Sequence, residues 1–276
     1  MKINKINIKN VLVIFIATAL LTSCKDFFSD DNADPNAPVD VPIAAALPAI
    51  QLTVIDHKGG LYSNFSNMFI QQVEGVARQW ESFNKYDIQP VRFNGSWQQM
   101  YENVFVELRT VKQKATDGGY NHYLGIAKTI EAYGLMMVTD VFGDMPFTEA
   151  GLGDANNNPK YDDQATVIYP AIKTLLTEAL TLFNQASGSL VPGSDDVIYG
   201  GNITKWKLAA HSILARYYLH LGDNANALAE AKLGIASRAD NMGYTYPGAG
   251  NDAPWYGFND VREGDIEFHP TMRGIM

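Results

Sequence analysis

The side chains of this sequence that could do chemistry are scattered acids, five histidines, one cysteine and a set of aromatics that fall outside any helical period. Asp162-Asp163 and Asp195-Asp196 are the first places to look for proton chemistry, since glycoside hydrolysis needs two carboxyls flanking a sugar. Adjacent acids do not define that geometry, and the same residues suit helix caps and loop charges, which is the favoured reading. His57, His122, His211, His220 and His269 make no His-Glu-x-x-His pair. No Gly-x-Ser-x-Gly elbow or phosphate-cradling Gly-x-x-x-x-Gly-Lys loop occurs, and Gly151-x-Gly153 follows a helical stripe where a dinucleotide site would need a strand. Asp154-Ala155-Asn156-Asn157-Asn158 alternates oxygen donors as a calcium loop does, but Pro159 stands where the loop must turn and Ala165 where the bidentate acid belongs. An Asx-rich turn fits better. Neither a metal nor a cofactor is implied.

Aromatic residues carry more information, because the C–H face of a sugar ring packs on Trp or Tyr while its hydroxyls find polar partners at the rim. Trp97, Tyr101, Trp206 and Tyr217 lie on helical stripes and are assigned to the core. Tyr161, Tyr244, Tyr246, Trp255, Tyr256 and Phe258 sit in polar segments containing Gly and Pro. Tyr161, Trp255 and Tyr256 are the candidate ligand-binding residues, against the alternative that they pack their own loops.

Cys24 is the single cysteine, and its surroundings explain it. Lys2, Lys5 and Lys9 precede a run of apolar and small residues from Val11 to Leu21, too short to span a bilayer, and Leu21-Thr22-Ser23-Cys24 comes next. The tetrapeptide resembles a bacterial lipobox, in which the cysteine becomes the acylated N-terminus and several chains hold the protein on a membrane. Lys25-Asp26 resembles a charged export signal for surface display. Loss of residues 1–23 removes three lysines and no acids, taking the formal charge from −9 to −12. Such an acidic chain is a poor partner for nucleic acid. With 46% hydrophobic and 18% charged residues it can bury a core, and no second apolar run is long enough to cross a membrane.

The elements that must position these residues read as helices. Stripes run through Ile43, Leu47, Ile50 and Val54; Phe65, Phe69, Val73, Val76 and Trp80; Trp97, Tyr101, Val104, Leu108 and Val111; and Tyr123, Ala127, Ile130, Tyr133 and Met137, ending near Gly143. Three more lie beyond it: Ile172, Leu175, Ala179 and Leu182; Trp206, Ala210, Ile213, Tyr217 and Leu221; and Leu228, Ala231 and Ile235. The short Leu221-Gly222-Asp223-Asn224 link folds the last two into an antiparallel hairpin anchored by Trp206. An all-α fold of tetratricopeptide-like hairpins is expected, with a signal peptide over 1–23, a lipidated tether over 24–42, a helical domain over 43–240 and a loop-rich segment over 241–276.

Four segments resemble one family. Asn32-Ala33-Asp34-Pro35-Asn36 after the lipobox, Thr139-Asp140-Val141-Phe142-Gly143-Asp144-Met145-Pro146-Phe147-Thr148-Glu149-Ala150, Pro159-Lys160-Tyr161-Asp162, and Tyr199-Gly200-Gly201-Asn202-Ile203-Thr204-Lys205-Trp206 running on to Ala215-Arg216-Tyr217 are similar to landmarks of SusD/RagB nutrient-binding lipoproteins, in the starch-binding, outer-membrane-associated branch. Asn202 and His211 depart from that pattern. The resemblance implies a tetratricopeptide-like scaffold carrying a loop-rich binding region, a place in the outer membrane over a TonB-dependent SusC-like transporter, and an oligosaccharide or peptide ligand that is bound without being altered. It also implies a longer protein, of which this chain is expected to be an N-terminal portion. A helical adaptor that docks to the transporter without a ligand, and a surface glycoside hydrolase, are the alternatives.

Overall fold

The structure, a computed structural model, describes residues 40–275; Cys24, the lipobox and most of the tether lie outside them. Helices dominate. Helix α1 (Ile43–Gly59) places Ile43, Leu47, Ile50 and Val54 in the core, as their spacing predicts. Helix α2 (Leu61–Phe69) then ends, and Gln71 takes a left-handed conformation at φ 58°. The stripe read as one helix from Phe65 to Trp80 is therefore three elements: α2, strand β1 (Val73–Gly75) and the short helix α3 (Trp80–Asn84). Spacing alone could not show the break, because β1 exists through its antiparallel partner, strand β2 (Ile266–Phe268), with Val73 opposite Phe268 and Gly75 opposite Ile266.

Helix α4 (Asn94–Met100) passes through a π-helical turn at Tyr101–Phe105 into helix α5 (Val106–Asp117). The wider turn accommodates one extra residue, rotating the face of α4 by about 100° relative to that of α5. Ser96, Met100, Val104, Leu108, Val111 and Ala115 are the buried line in consequence, while Trp97 and Tyr101 are only half-buried. Their assignment to the core is corrected by this phase shift.

Helix α6 (Asn121–Phe142) is the axis, packed by α1, α5, the helix α7 (Tyr169–Leu182) and the helix α8 (Ile203–His220). It is buried on most of its circumference, from Tyr123 to Thr139. Gly125 explains how α7 comes so near: a Cβ there would lie 2.5 Å from the Phe183 ring. The propensity cost of a mid-helix glycine, about 1 kcal/mol, is offset by that aromatic contact. Asp163 caps the segment leading into α7 by accepting from the Thr166 amide at 2.7 Å, and Pro170 sits in the helix's first turn where its missing N–H does no harm.

Helices α8 and α9 (Asn224–Leu233) form the expected hairpin, capped by Asn202 and Asp223. The last stripe, however, fails: Leu228 is exposed and Ala227 is the buried residue of α9. Three positions over two turns, one of them alanine, were too few to fix the phase. Residues 241–275 are a mixture of turns and irregular chain that carries helix α10 (Pro254–Val261), β2 and the single-turn helix α11 (Pro270–Arg273).

Trp206 is fully buried, and its indole Nε1 donates to Asp196 Oδ2 at 2.7 Å. The same carboxylate accepts from the Gln51 side chain at 2.8 Å and from the Gly201 amide at 2.9 Å, tying α1, α8 and the 183–202 connection together. Asp196 is thus a structural acid, buried where a solvated loop charge was expected. Trp206→Ala should cost about 3–5 kcal/mol, the range for large core truncations, and Trp206→Phe should cost less while still leaving Asp196 short of a donor; urea unfolding followed by circular dichroism measures both.

Candidate functional site: an aromatic cleft at the end of the central helix

Where α6 ends, Gly143 turns the chain at φ 77° and the Thr139 hydroxyl donates to the Gly143 carbonyl at 2.7 Å. Phe142 and Asp144, on either side of this turn, project into one cleft. Phe93 and Asn94 at the start of α4, Trp97 one turn later, Phe69 from the end of α2 and Tyr161 wall it together with Ile88 and Pro90, around a cavity of about 690 Å³. The volume lies within the roughly 300–1,000 Å³ of small-molecule sites.

Tyr161 is held in place by its neighbour. Met145 and Asp162 exchange backbone hydrogen bonds at 3.2 and 3.0 Å, an isolated bridge that leaves consecutive side chains on opposite faces. Asp162 turns inward, almost fully buried, and its carboxylate accepts from the amides of Phe147 (3.1 Å) and Thr148 (2.7 Å) and from the Thr148 hydroxyl. Tyr161 turns outward and stays 65% exposed. Burial acts against ionisation of Asp162, but the donors from Thr148 and Phe147, with Lys160 nearby, outweigh it and hold the carboxyl below the usual range. The buried acid therefore closes the 145–162 loop and aims the tyrosine.

The tyrosine meets Trp97. Their rings are nearly parallel, with centroids 6.2 Å apart and an interplanar angle of 19°. Phe142 stands edge-on to Trp97 at 5.0 Å and to Phe93 at 5.9 Å, and Tyr101 leans on Trp97 at 4.9 Å. The Tyr101 hydroxyl donates to the Pro146 carbonyl at 2.6 Å, and burial, with Tyr161 and Asp162 adding to it, raises its pKa strongly, so that it remains a neutral donor. The cleft is an aromatic platform with an amide (Asn94) and one carboxylate (Asp144) at its edge. Asp144 Oδ1 accepts from the Gln164 amide at 2.8 Å, which fixes its orientation. Such a surface can pack the apolar face of a flat polyhydroxylated ring and bond its rim.

The sequence singled out Tyr161, but its neighbours were missed for two reasons: the π turn displaced Trp97 from the core, and Phe142, Phe93 and Phe69 are brought in by separate elements. Alternation between Asp162 and Tyr161 was the one available signal. Trp255 and Tyr256 lie elsewhere, in the first turn of α10 and not in a loop. Trp255 is half-buried, donates from Nε1 to the Ser63 hydroxyl at 2.9 Å and lines a separate cavity of about 380 Å³ with Asn67, Gln72 and Asn259. Tyr256 is 63% exposed. Phe258, from the same helix, packs edge-on against Trp80 at 5.4 Å. At Asp154–Asn158, Asn156 Oδ1 accepts from the Asn158 amide at 3.1 Å, the Asx turn that composition suggested.

The SusD-like family model, described as starch-binding and associating with the outer membrane, matches residues 35–276. The chain belongs to this family. Its fold is similar to that of a SusD/RagB family protein from Bacteroides thetaiotaomicron, with a TM-score of 0.76 at 22% identity, covering 83% of this chain and 50% of that one. A chitin-binding protein gives a TM-score of 0.66 at 24% identity, over 82% and 50% of the two chains, and a SusD homolog from Bacteroides uniformis gives 0.61 at 22%, over 83% and 50%. The chain thus spans about half the length of the solved SusD-like structures it matches. No curated protein sequence matches it. The all-α expectation agrees with these relatives. No helix among the described residues is long and apolar enough to cross a membrane.

The depressed pKa of Asp162 has a direction that can be measured. Its contribution to stability is present above the unfolded-state value of about 3.9 and is lost as pH falls through the lower folded-state value. Amide exchange at Thr148 should accelerate as pH drops below about 4, after correction for intrinsic rates, and Asp162→Asn should exchange fast already at neutral pH; equal protection in both proteins would separate the loop from the acid.

Proposed function

We propose that this protein captures a nutrient oligosaccharide in the aromatic cleft, leaves it chemically unchanged and passes it to a TonB-dependent SusC-like transporter, while held on the outer membrane through acylated Cys24 and facing the cell exterior. The Trp97–Tyr161 pair carries the reading, because an exposed tyrosine, aimed by the buried acid beside it and stacked on a half-buried tryptophan at a cleft wall, suits sugar stacking better than it suits a core. Membership in a family described as starch-binding and outer-membrane-associated supports ligand class and place. Binding without chemistry is supported by the lining of the cleft, where Asp144 is the one carboxylate among the described residues, whereas glycoside hydrolysis takes two. Trp255 and Tyr256 are proposed as a secondary contact, outside the cleft. A peptide could use the same platform and is an arm of the test.

One observation favours the adaptor reading. Leu219 and Leu221 at the end of α8 and Leu228 and Leu233 on α9 are all more than half exposed, an apolar surface of the kind that marks protein contacts. The two readings separate on ligand binding.

Calorimetry with maltohexaose, chitohexaose, xylohexaose and a neutral hexapeptide should give measurable affinity for at least one glycan, weakened about tenfold or more, about 1.4 kcal/mol, by Trp97→Ala or Tyr161→Ala. Trp255→Ala should have a smaller effect. No heat with any glycan or with the hexapeptide would leave the adaptor, and heat with the hexapeptide alone would replace the oligosaccharide by a peptide. Separately, Cys24→Ala should move the protein from the membrane fraction to the soluble one and abolish labelling by a palmitate analogue; an unlabelled but membrane-bound wild type would overturn the anchor.

A further inference from the structure

Helices α1 and α8 both pack on α6, and the gap between them is a cavity of about 380 Å³ that shares no lining residue with the aromatic cleft. Lys58 comes from the last turn of α1, Tyr133 from α6 and Arg216 from α8; Ile55, Ile213 and Met242 supply apolar wall. We propose that this cavity binds the carboxylate of a small molecule with an apolar body.

The cavity is lined by donors left without acceptors. Arg216 spends Nη2 on Asp140 Oδ2 at 2.8 Å and Nε on His220 Nε2 at 3.4 Å, leaving Nη1 unengaged among the described residues. Lys58 Nζ and the Tyr133 hydroxyl make no hydrogen bond or ion pair there either. Three donors, two of them cationic, thus line one cavity, with Tyr133 and Arg216 half-buried and Lys58 at its exposed rim. The acid whose charge acts on Lys58, Asp140, is already shared by Arg216 and by the Tyr169 hydroxyl at 2.9 Å.

The local field agrees with the geometry. Lys58 is held below the ordinary ammonium value first by burial and then by Arg216, and Asp140 only partly opposes them. Burial likewise raises Tyr133, keeping its hydroxyl a donor. A carboxylate would relieve this arrangement, its two oxygens meeting the planar guanidinium edge and the point charge of the ammonium, with Tyr133 donating a third bond. Ile55, Ile213 and Met242 would cover a carbon body, Met242 adapting to its shape. In a chain of net charge −9 an anion is unfavoured over the surface at large, so a pocket presenting two cations selects by its own field.

The test uses the full chain in detergent, titrated with phenylacetate, with its neutral isostere phenylacetamide and with inorganic sulfate at fixed ionic strength. Phenylacetate should bind at least tenfold tighter than the amide and than sulfate, and Lys58→Gln and Tyr133→Phe should each weaken it at least fivefold while leaving the amide unchanged. Circular dichroism verifies the fold of both variants. Equal affinity for acid and amide, no binding of either, or sulfate binding as well as phenylacetate would overturn the proposal on the unmodified chain alone. Wild-type affinity in both folded variants would overturn it as well. The outcome is independent of glycan binding, since Trp97→Ala should leave phenylacetate affinity intact.

Discussion

The helices of residues 42–275 are arranged around one helix that has almost no solvent face. Burial from Tyr123 to Thr139 means that α6 must be approached closely by four neighbours, and it achieves this with small residues at the contacts, Gly125 under the Phe183 ring and Gly134 beside Phe105. A close-packed interior transmits position, so the ends of such a helix are among the best-fixed points of the chain. The cleft is built at its C-terminal end. Phe142 is the helix's last residue, Asp144 lies just past the turn, and the rings of Trp97 and Phe93 rest on Phe142.

Loops alone could not hold an aromatic platform in register, and here two buried carboxylates act as substitutes for regular structure. Asp162 gathers the amides of 147 and 148, and Asp196 gathers amides of the 183–202 connection together with the Trp206 indole and the Gln51 side chain. A buried anion requires its donors, since leaving it short of them costs more than an ordinary hydrogen bond contributes. Each loop is thereby confined to the conformation that supplies them. The consequence for Tyr161 is direct: its backbone position is set by the residue beside it, which is buried and accepts several hydrogen bonds.

The aromatic residues form a continuous series of ring contacts from Phe258 through Trp80, Phe83, Phe65 and Phe93 to Phe142, Trp97 and Tyr161. Its middle is core and its Tyr161 end is exposed. Such a surface is pre-organised, and a ligand stacking on it would meet side chains that have little rotamer freedom left to lose. The cationic groove between α1 and α8 differs in kind, offering hydrogen-bond donors where the cleft offers ring faces.

What the sequence by itself determined is what is local or strongly periodic. The helices around Ile43–Val54, Tyr123–Met137 and Ile172–Ala179 were legible because burial on one face repeats every three or four residues, and the cap at Asp163 because a short polar side chain bonds an amide a few residues on. The turns after Gly143 and Gly222 were legible for an equally local reason, the left-handed conformation that glycine tolerates. Tertiary structure alone decided the rest. The break after Phe69 depends on β1 finding β2 almost two hundred residues away. Trp97 left the core because one π turn changed the phase of a helix whose spacing looked perfect for burial, and Leu228 faces solvent because a stripe of two turns is too short to set a phase. Trp97, Phe142 and Tyr161 became one site because three chain segments converge at the end of α6, and no spacing within any one of them records that distance.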